Sequence, residues 1–268
     1  MVDFFEKRAY DCQDLREIVR ILRHPGGCPW DIEQTHQSIR RNFLEETYEV
    51  AEAIDSGDMD GLKEELGDVL LQVMFHASIE EDAGNFNLDD VADGVCKKLI
   101  YRHPHVFGDV TVGSTGEVLA NWEELKKKEK GQATQADAVD AVARTLPALW
   151  RAEKMKKKAA KAGFDWRNIA GALDKLSEEL DELKAAALEG EGDPVEELGD
   201  LLFAAVCVAR FLDADPEDAL HAACDKFSAR FRKTEAMVLE RGLDMAGLSN
   251  EEQIALWREA KRQIANDQ

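Results

Sequence analysis

Glu197-Leu198-Gly199-Asp200-Leu201-Leu202-Phe203-Ala204-Ala205-Val206-Cys207-Val208-Ala209 places two acids three residues apart at the head of a run that is apolar on every side. A helix apolar all round is expected to be buried, and carboxylates at its mouth then need a partner. Upstream, Leu173, Leu176, Leu180, Leu183 and Ala187 recur in steps of three and four, which lays one stripe along a second helix. Gly and Pro gather at 25–29, 108–116, 190–194 and 213–216, with long helical spacings between, and alternating strand patterns are nearly absent. These features predict an all-α fold with helices packed as in a bundle.

Working outward, the same features appear twice in the same order. Trp30 after Gly27 corresponds to Trp166 after Gly163, and Glu45-Glu46-Thr47-Tyr48-Glu49 to Glu178-Glu179-Leu180-Asp181-Glu182. Glu65-Leu66-Gly67-Asp68-Val69-Leu70 is matched by Glu197-Leu198-Gly199-Asp200-Leu201-Leu202, Lys98 and Arg102 by Lys226 and Arg230, and Trp122 by Trp257. A fixed order with little change of offset means a duplicated helical module. The repeat predicts an N-terminal module over 1–126, a linker region over 127–147 where lysines give way to small and polar residues, and a C-terminal module over 148–268.

Composition narrows the function. Asp and Glu number 55 against 34 Lys and Arg, a formal charge of −21, which argues against non-specific binding to nucleic acid or anionic lipid. The five cysteines have no CxxC spacing and read as reduced thiols, which predicts a cytoplasmic protein. No stretch approaches the roughly 18 apolar residues that a membrane span requires, so a membrane location is not expected.

The chemistry lies in the acids. Glu46 and Glu49 share one helical face, as do Glu65 and Asp68, Glu179 and Glu182, and Glu197 and Asp200. A single Glu-x-x-Glu in so acidic a chain is ordinarily solvated surface. Crowded carboxylates beside an apolar helix instead call for neutralisation, a cation or a metal ion. Oxygen-only donors select a hard cation, Mg²⁺ first and Mn²⁺ as a substitute, over Zn²⁺. Beside a phosphate such an ion would polarise phosphorus and acidify a water, and a carboxylate not fully engaged could take the proton. Lys226 and Arg230, four apart on one face and echoed by Lys98 and Arg102, supply counter-charge for phosphate.

With these residues in view, the sequence resembles the MazG family of nucleoside triphosphate pyrophosphohydrolases along nearly its whole length. The paired acid signatures carry the resemblance, with Gly27-Cys28-Pro29-Trp30-Asp31, Arg102-His103-Pro104-His105-Val106-Phe107 and Gly163-Phe164-Asp165-Trp166. The resemblance implies tandem all-α modules, each forming part of a four-helix-bundle-type metal site, and a homodimer. It implies Mg²⁺-dependent cleavage between the α- and β-phosphates of NTPs or dNTPs, giving NMP and pyrophosphate. Glu179, Glu182, Glu197 and Asp200 are then the catalytic metal ligands of the C-terminal module, with Glu46, Glu49, Glu65 and Asp68 as their N-terminal counterparts. Lys226, Arg230, Trp257 and Lys261 are nucleotide contacts, the tryptophan stacking on the base, and Lys98, Arg102 and Trp122 are the equivalents in the first module.

Other signals carry less. Glu33-Gln34-Thr35-His36 has the Glu-x-x-His spacing of di-iron bundles but occurs once, which favours a solvent-facing or capping role. For His103 and His105 a structural role is at least as well supported as a metal or substrate contact. Lys154, Lys156, Lys157 and Lys158 look like one solvated helix face, and Trp30 and Trp166 like packing residues. The rival activities are a dUTP diphosphatase-like or phosphoribosyl-ATP pyrophosphatase-like enzyme, and a non-catalytic nucleotide-binding regulator.

Overall fold

The computed structural model describes residues 6–129, 131 and 134–266, and every regular element among them is helical. The chain forms two compact units, 1–126 and 127–268.

The first unit holds α1 (Cys12–Arg23), α2 (Pro29–Glu33), α3 (His36–Ser56), α4 (Met59–Ala83), α5 (Leu88–Arg102), α6 (Pro104–Phe107) and most of α7 (Thr115–Glu129). Its frame is the α3–α4 hairpin. Thr35 caps α3 reciprocally with Ser38, and Gly57 at φ 70° ends it in the left-handed conformation that glycine adopts without steric cost. Asp58 then caps α4 through the amides of Asp60 and Gly61. α1 closes over α4, and Val19, Ile39, Met74 and Phe75 form the buried core between them. At its edge the Arg23 guanidinium lies over the Phe75 ring and donates to Ser78 Oγ at 2.7 Å and Asp82 Oδ2 at 2.9 Å.

The second unit contains α8 (Gln135–Asp140), α9 (Ala148–Lys161), α10 (Ile169–Lys184) with a π turn at Ala185–Glu189, α11 (Pro194–Phe211), α12 (Pro216–Glu240), a 3₁₀ turn at Met245–Gly247 and α13 (Asn250–Asn266). α10 and α11 make the counterpart hairpin, and α9 packs across α11. α12 and α13 pair through Met237, Val238, Leu256 and Ala260.

The structure departs from the sequence expectations in four places. The region 127–147, expected as a linker, includes the capped helix α8 laid on α9, with Ala138 and Val142 buried. α11 is not buried all round: Ala204, Val206 and Cys207 face inward, while Leu198, Leu202 and Phe203 are exposed, because α9 and α10 cover only part of its circumference. Lys156 does not share the solvated face of Lys154 and Lys157; it is 5 % exposed, with Nζ 4.1 Å from the Trp166 ring centroid and donating to Phe164 O at 3.1 Å. Its counter-ion is Asp165, which also pairs with Arg210. Trp166 is therefore packed, as expected, whereas Trp30 on the five-residue α2 is 58 % exposed.

Within Glu33-Gln34-Thr35-His36 the expected roles are met by Glu33, which is exposed, and Thr35, which caps α3, while His36 does something more. It opens α3 and joins a polar chain, its Nδ1 2.7 Å from His76 Nδ1 and its Nε2 2.5 Å from Glu80 Oε1, whose other oxygen accepts from Asn85. Burial, and then the neighbouring His36, push the His76 pKa down.

Candidate active site

Each hairpin brings acids from two helices together. In the first unit Glu46 and Glu49 on α3 and Glu65 on α4 offer carboxylate oxygens within 4.8 Å of one another. Burial first, then the charges of Asp68 and Glu49, hold the Glu46 carboxyl above the usual range. Glu65 is raised in the same way, by partial burial and then by Glu49 and Asp68, so Asp68 belongs to the cluster electrostatically. In the second unit Glu179 on α10 and Glu197 and Asp200 on α11 come within the same 4.8 Å. Glu182 lies outside that three-way group but is coupled to it: reduced solvation of its carboxyl is the main cause of its raised pKa, and Glu179 adds to it.

The residue that sequence reasoning missed is Lys175. Its Nζ lies 2.7 Å from Glu179 Oε1 and 2.6 Å from Glu178 Oε1, and these partners hold its pKa well above the usual lysine range. Glu179 is 6 % exposed, so the ammonium neutralises a buried carboxylate. The signal was present as a lysine four residues before Glu179 on one helical face, a spacing that matters only once Glu179 is known to be buried.

The basic and aromatic residues form a separate group. Lys226 and Arg230 lie on α12, where Lys226 is exposed and Arg230 partly buried. Trp257 on α13 packs against Phe227 at 5.2 Å between centroids, and Lys261, one turn further, is exposed. Among the described residues no ion pair or hydrogen bond links this group to the acids of the α10–α11 hairpin. In the first unit Lys98 is partly buried and Arg102 is 8 % exposed, its guanidinium 5.3 Å from the centroid of the Trp122 ring, with Lys126 4.7 Å from the same centroid. His103 Nδ1 contacts Leu99 O at 2.7 Å near the end of α5, and its ring lies 5.6 Å from that of His105.

The donor set fits a hard divalent cation. All the converging groups are carboxylates, no imidazole or thiol belongs to either described cluster, and two of the first unit's acids are held up by burial and then by mutual repulsion that a cation would relieve. The fold and these clusters define a class: a tandem all-α protein carrying one carboxylate site per helical hairpin.

Comparison with known proteins gives the family. The MazG nucleotide pyrophosphohydrolase domain matches residues 34–107 and again 168–234, and each match contains one complete set of four acids. Over 253 residues the chain is 45 % identical to the nucleoside triphosphate pyrophosphohydrolase of Escherichia coli K12, covering 93 % of this chain and 96 % of that protein. It is 44 % identical over 249 residues to the nucleoside triphosphate pyrophosphohydrolase/pyrophosphatase MazG of Thermotoga maritima, covering 93 % and 95 %. The uncharacterized protein YabN of Bacillus subtilis is 49 % identical over 259 residues, covering 96 % of this chain and 53 % of that longer protein. The chain belongs to the MazG nucleotide pyrophosphohydrolase family, and is thereby a hydrolase.

Proposed function

We propose that this chain is a Mg²⁺-dependent nucleoside triphosphate pyrophosphohydrolase, able to use Mn²⁺, that cleaves the α–β phosphate bond of NTPs or dNTPs to give NMP and pyrophosphate. The observation that carries the reading is the recurrence of the converging carboxylates in both family-matched segments, each on a two-helix hairpin. The named activity of the E. coli and T. maritima relatives supports the substrate class.

In the second unit Glu179, Glu197 and Asp200 would hold the cation, with Glu182 beside them, and Glu46, Glu49, Glu65 and Asp68 would do so in the first. When bound, a divalent ion there neutralises phosphate charge and makes phosphorus more open to attack by water. The remaining work falls to the protein's own groups. Glu182, outside the three-way group, keeps a carboxylate able to accept a proton from the attacking water. Lys226 and Arg230, which pair with no acid among the described residues, supply the counter-charge that a triphosphate needs, with Lys261 adding to it. Trp257 offers a face for base stacking, and Lys98, Arg102 and Trp122 are the equivalents in the first unit.

The exposed Leu198, Leu202 and Phe203 beside the acid cluster support a homodimer that covers the open side of α11. All five cysteines are free, as suits a reducing cytoplasm, and no described helix is long and apolar enough to cross a membrane.

The test is pyrophosphate release from a panel of NTPs and dNTPs, with Mg²⁺, with Mn²⁺ and with chelator, using the whole chain. Release of pyrophosphate and NMP that stops with chelator and with Glu179→Gln is the expected result. Orthophosphate and NDP as products, or undiminished turnover in a variant lacking both acid sets, overturns the reading.

A further inference from the structure

The two acid clusters differ in one charge. Each helical hairpin carries four acids at equivalent sequence positions, and three of them converge in each: Glu46, Glu49 and Glu65 in the first unit, Glu179, Glu197 and Asp200 in the second. In the second unit a lysine four residues upstream reaches the innermost of them, with Lys175 Nζ 2.7 Å from Glu179 Oε1. In the first unit the residue four before Glu46 is Asn42, which carries no charge; Glu46 is acted on by Asp68, Glu49 and Glu65, and Glu65 by Glu49, Asp68 and Glu64, all of them acids. Arg41, one residue away on α3, turns to Glu45 and not to Glu46.

Lys175 meets Glu179 where the shared group of ligand oxygens begins. A cation held by Glu179, Glu197 and Asp200 would use the carboxylate that the ammonium already occupies, and two positive groups within a few ångströms repel. The ammonium has somewhere to go: its side chain is 35 % exposed, and Glu178 lies at 2.6 Å. The first unit has no such competitor at Asn42, so there a cation relieves repulsion outright.

We propose that Lys175 is a built-in counter-ion that a divalent cation must displace from Glu179, so that without nucleotide the second unit's cluster binds metal more weakly than the first unit's. The inference rests on the metal-site reading given above. It makes the second site conditional: bare metal competes with the lysine, whereas a triphosphate brings negative charge enough for both cations. The metal and the lysine are then held together only when nucleotide is present, which limits idle occupancy of the cluster.

The experiment is titration of the full chain with Mn²⁺ alone, followed by electron paramagnetic resonance of the free ion. Glu46→Gln with Glu65→Gln in the same chain leaves the second cluster to be read by itself. In that background Lys175→Met is expected to tighten Mn²⁺ binding roughly tenfold, while Lys175→Arg, which keeps the charge, leaves it near the starting value. Conversely, Asn42→Lys, read in a chain carrying Glu179→Gln and Asp200→Asn, weakens Mn²⁺ at the first cluster by a comparable factor. Unchanged or weaker binding in Lys175→Met, with Glu179→Gln still abolishing it, overturns the counter-ion and leaves the metal site standing. If Glu179→Gln removes no Mn²⁺ from any variant, the metal site itself fails and the counter-ion with it.

Discussion

The first unit and the second hold the same acids in the same order, yet they carry those charges in different ways. In the first, Glu65 stands in the second turn of α4, beyond reach of the helix N-terminal amides, and it and Glu46 are raised by burial and repulsion. In the second, a four-residue turn replaces the two-residue turn Gly57-Asp58, so α11 starts later and Glu197 falls within its first turn. There the helix dipole favours a carboxylate. Lys175 completes the difference by neutralising Glu179. One unit is strained by its charges and the other neutralises its innermost carboxylate internally, leaving Glu182 raised, so a duplicated site need not keep duplicated electrostatics.

Breaking the acids one unit at a time gives the largest expected effect. Glu179→Gln or Asp200→Asn should lower kcat about 100-fold or more if the second unit does the work, with Glu46→Gln and Asp68→Asn far milder. Steady-state pyrophosphate release from the four variants would show it, and equal losses from both units would erase the functional side of the contrast.

The basic residues sharpen it next. Arg230→Ala should raise KM roughly tenfold with little change in stability, because its side chain makes no ion pair among the described residues. Arg102→Ala should do the reverse, lowering stability by about 1–2 kcal/mol as a buried guanidinium leaves the Trp122 ring. Michaelis kinetics and calorimetric melting of the two variants separate these outcomes, and a KM effect without destabilisation in Arg102→Ala would count against its packing role.

The smallest effect is on melting without metal. Glu46→Gln should raise the Tm at neutral pH by about 1–2 °C by removing a repelled charge, whereas Glu179→Gln should lower it by a similar amount by removing the buried partner of Lys175 and leaving it Glu178. Because the folded Glu46 and Glu65 pKa values lie above the ordinary glutamate value, their contribution to stability is fully present below that value and is lost as pH rises through the raised one. Chelated protein should therefore lose stability across that window, and added Mg²⁺ at pH 7 should restore it. Calorimetry at stepped pH checks the sign; a flat profile in wild type and Glu46→Gln alike would remove the strain from the first unit.

Much of this could be read from the sequence, because period and repetition survive without coordinates. The helices, the duplicated Glu-x-x-Glu and Glu-x-x-Asp pairs and the basic pairs follow from spacings of three and four. What did not follow depends on which face a neighbour covers. Lys156 sits in a run of lysines that reads as solvated, and only the loop carrying Asp165 and Trp166 turns it inward. The apolar α11 reads as fully enclosed, but α9 and α10 cover part of it, and a single sequence does not say what covers the rest. Lys175 is not legible in the sequence, because the worth of a lysine four residues before a glutamate is set by that glutamate's burial.

The imidazole chain in the first unit has a practical consequence. Five of the six histidines, His24, His36, His76, His103 and His105, lie in that unit, and His221 is the sixth. Imidazole-proton magnetic resonance would therefore report almost entirely on one half of the molecule. The hydrogen shared between the facing Nδ1 atoms of His36 and His76 should give a far-downfield line of its own. That line would let the α3–α4 hairpin be watched in the intact protein, without labels, while metal or nucleotide is added.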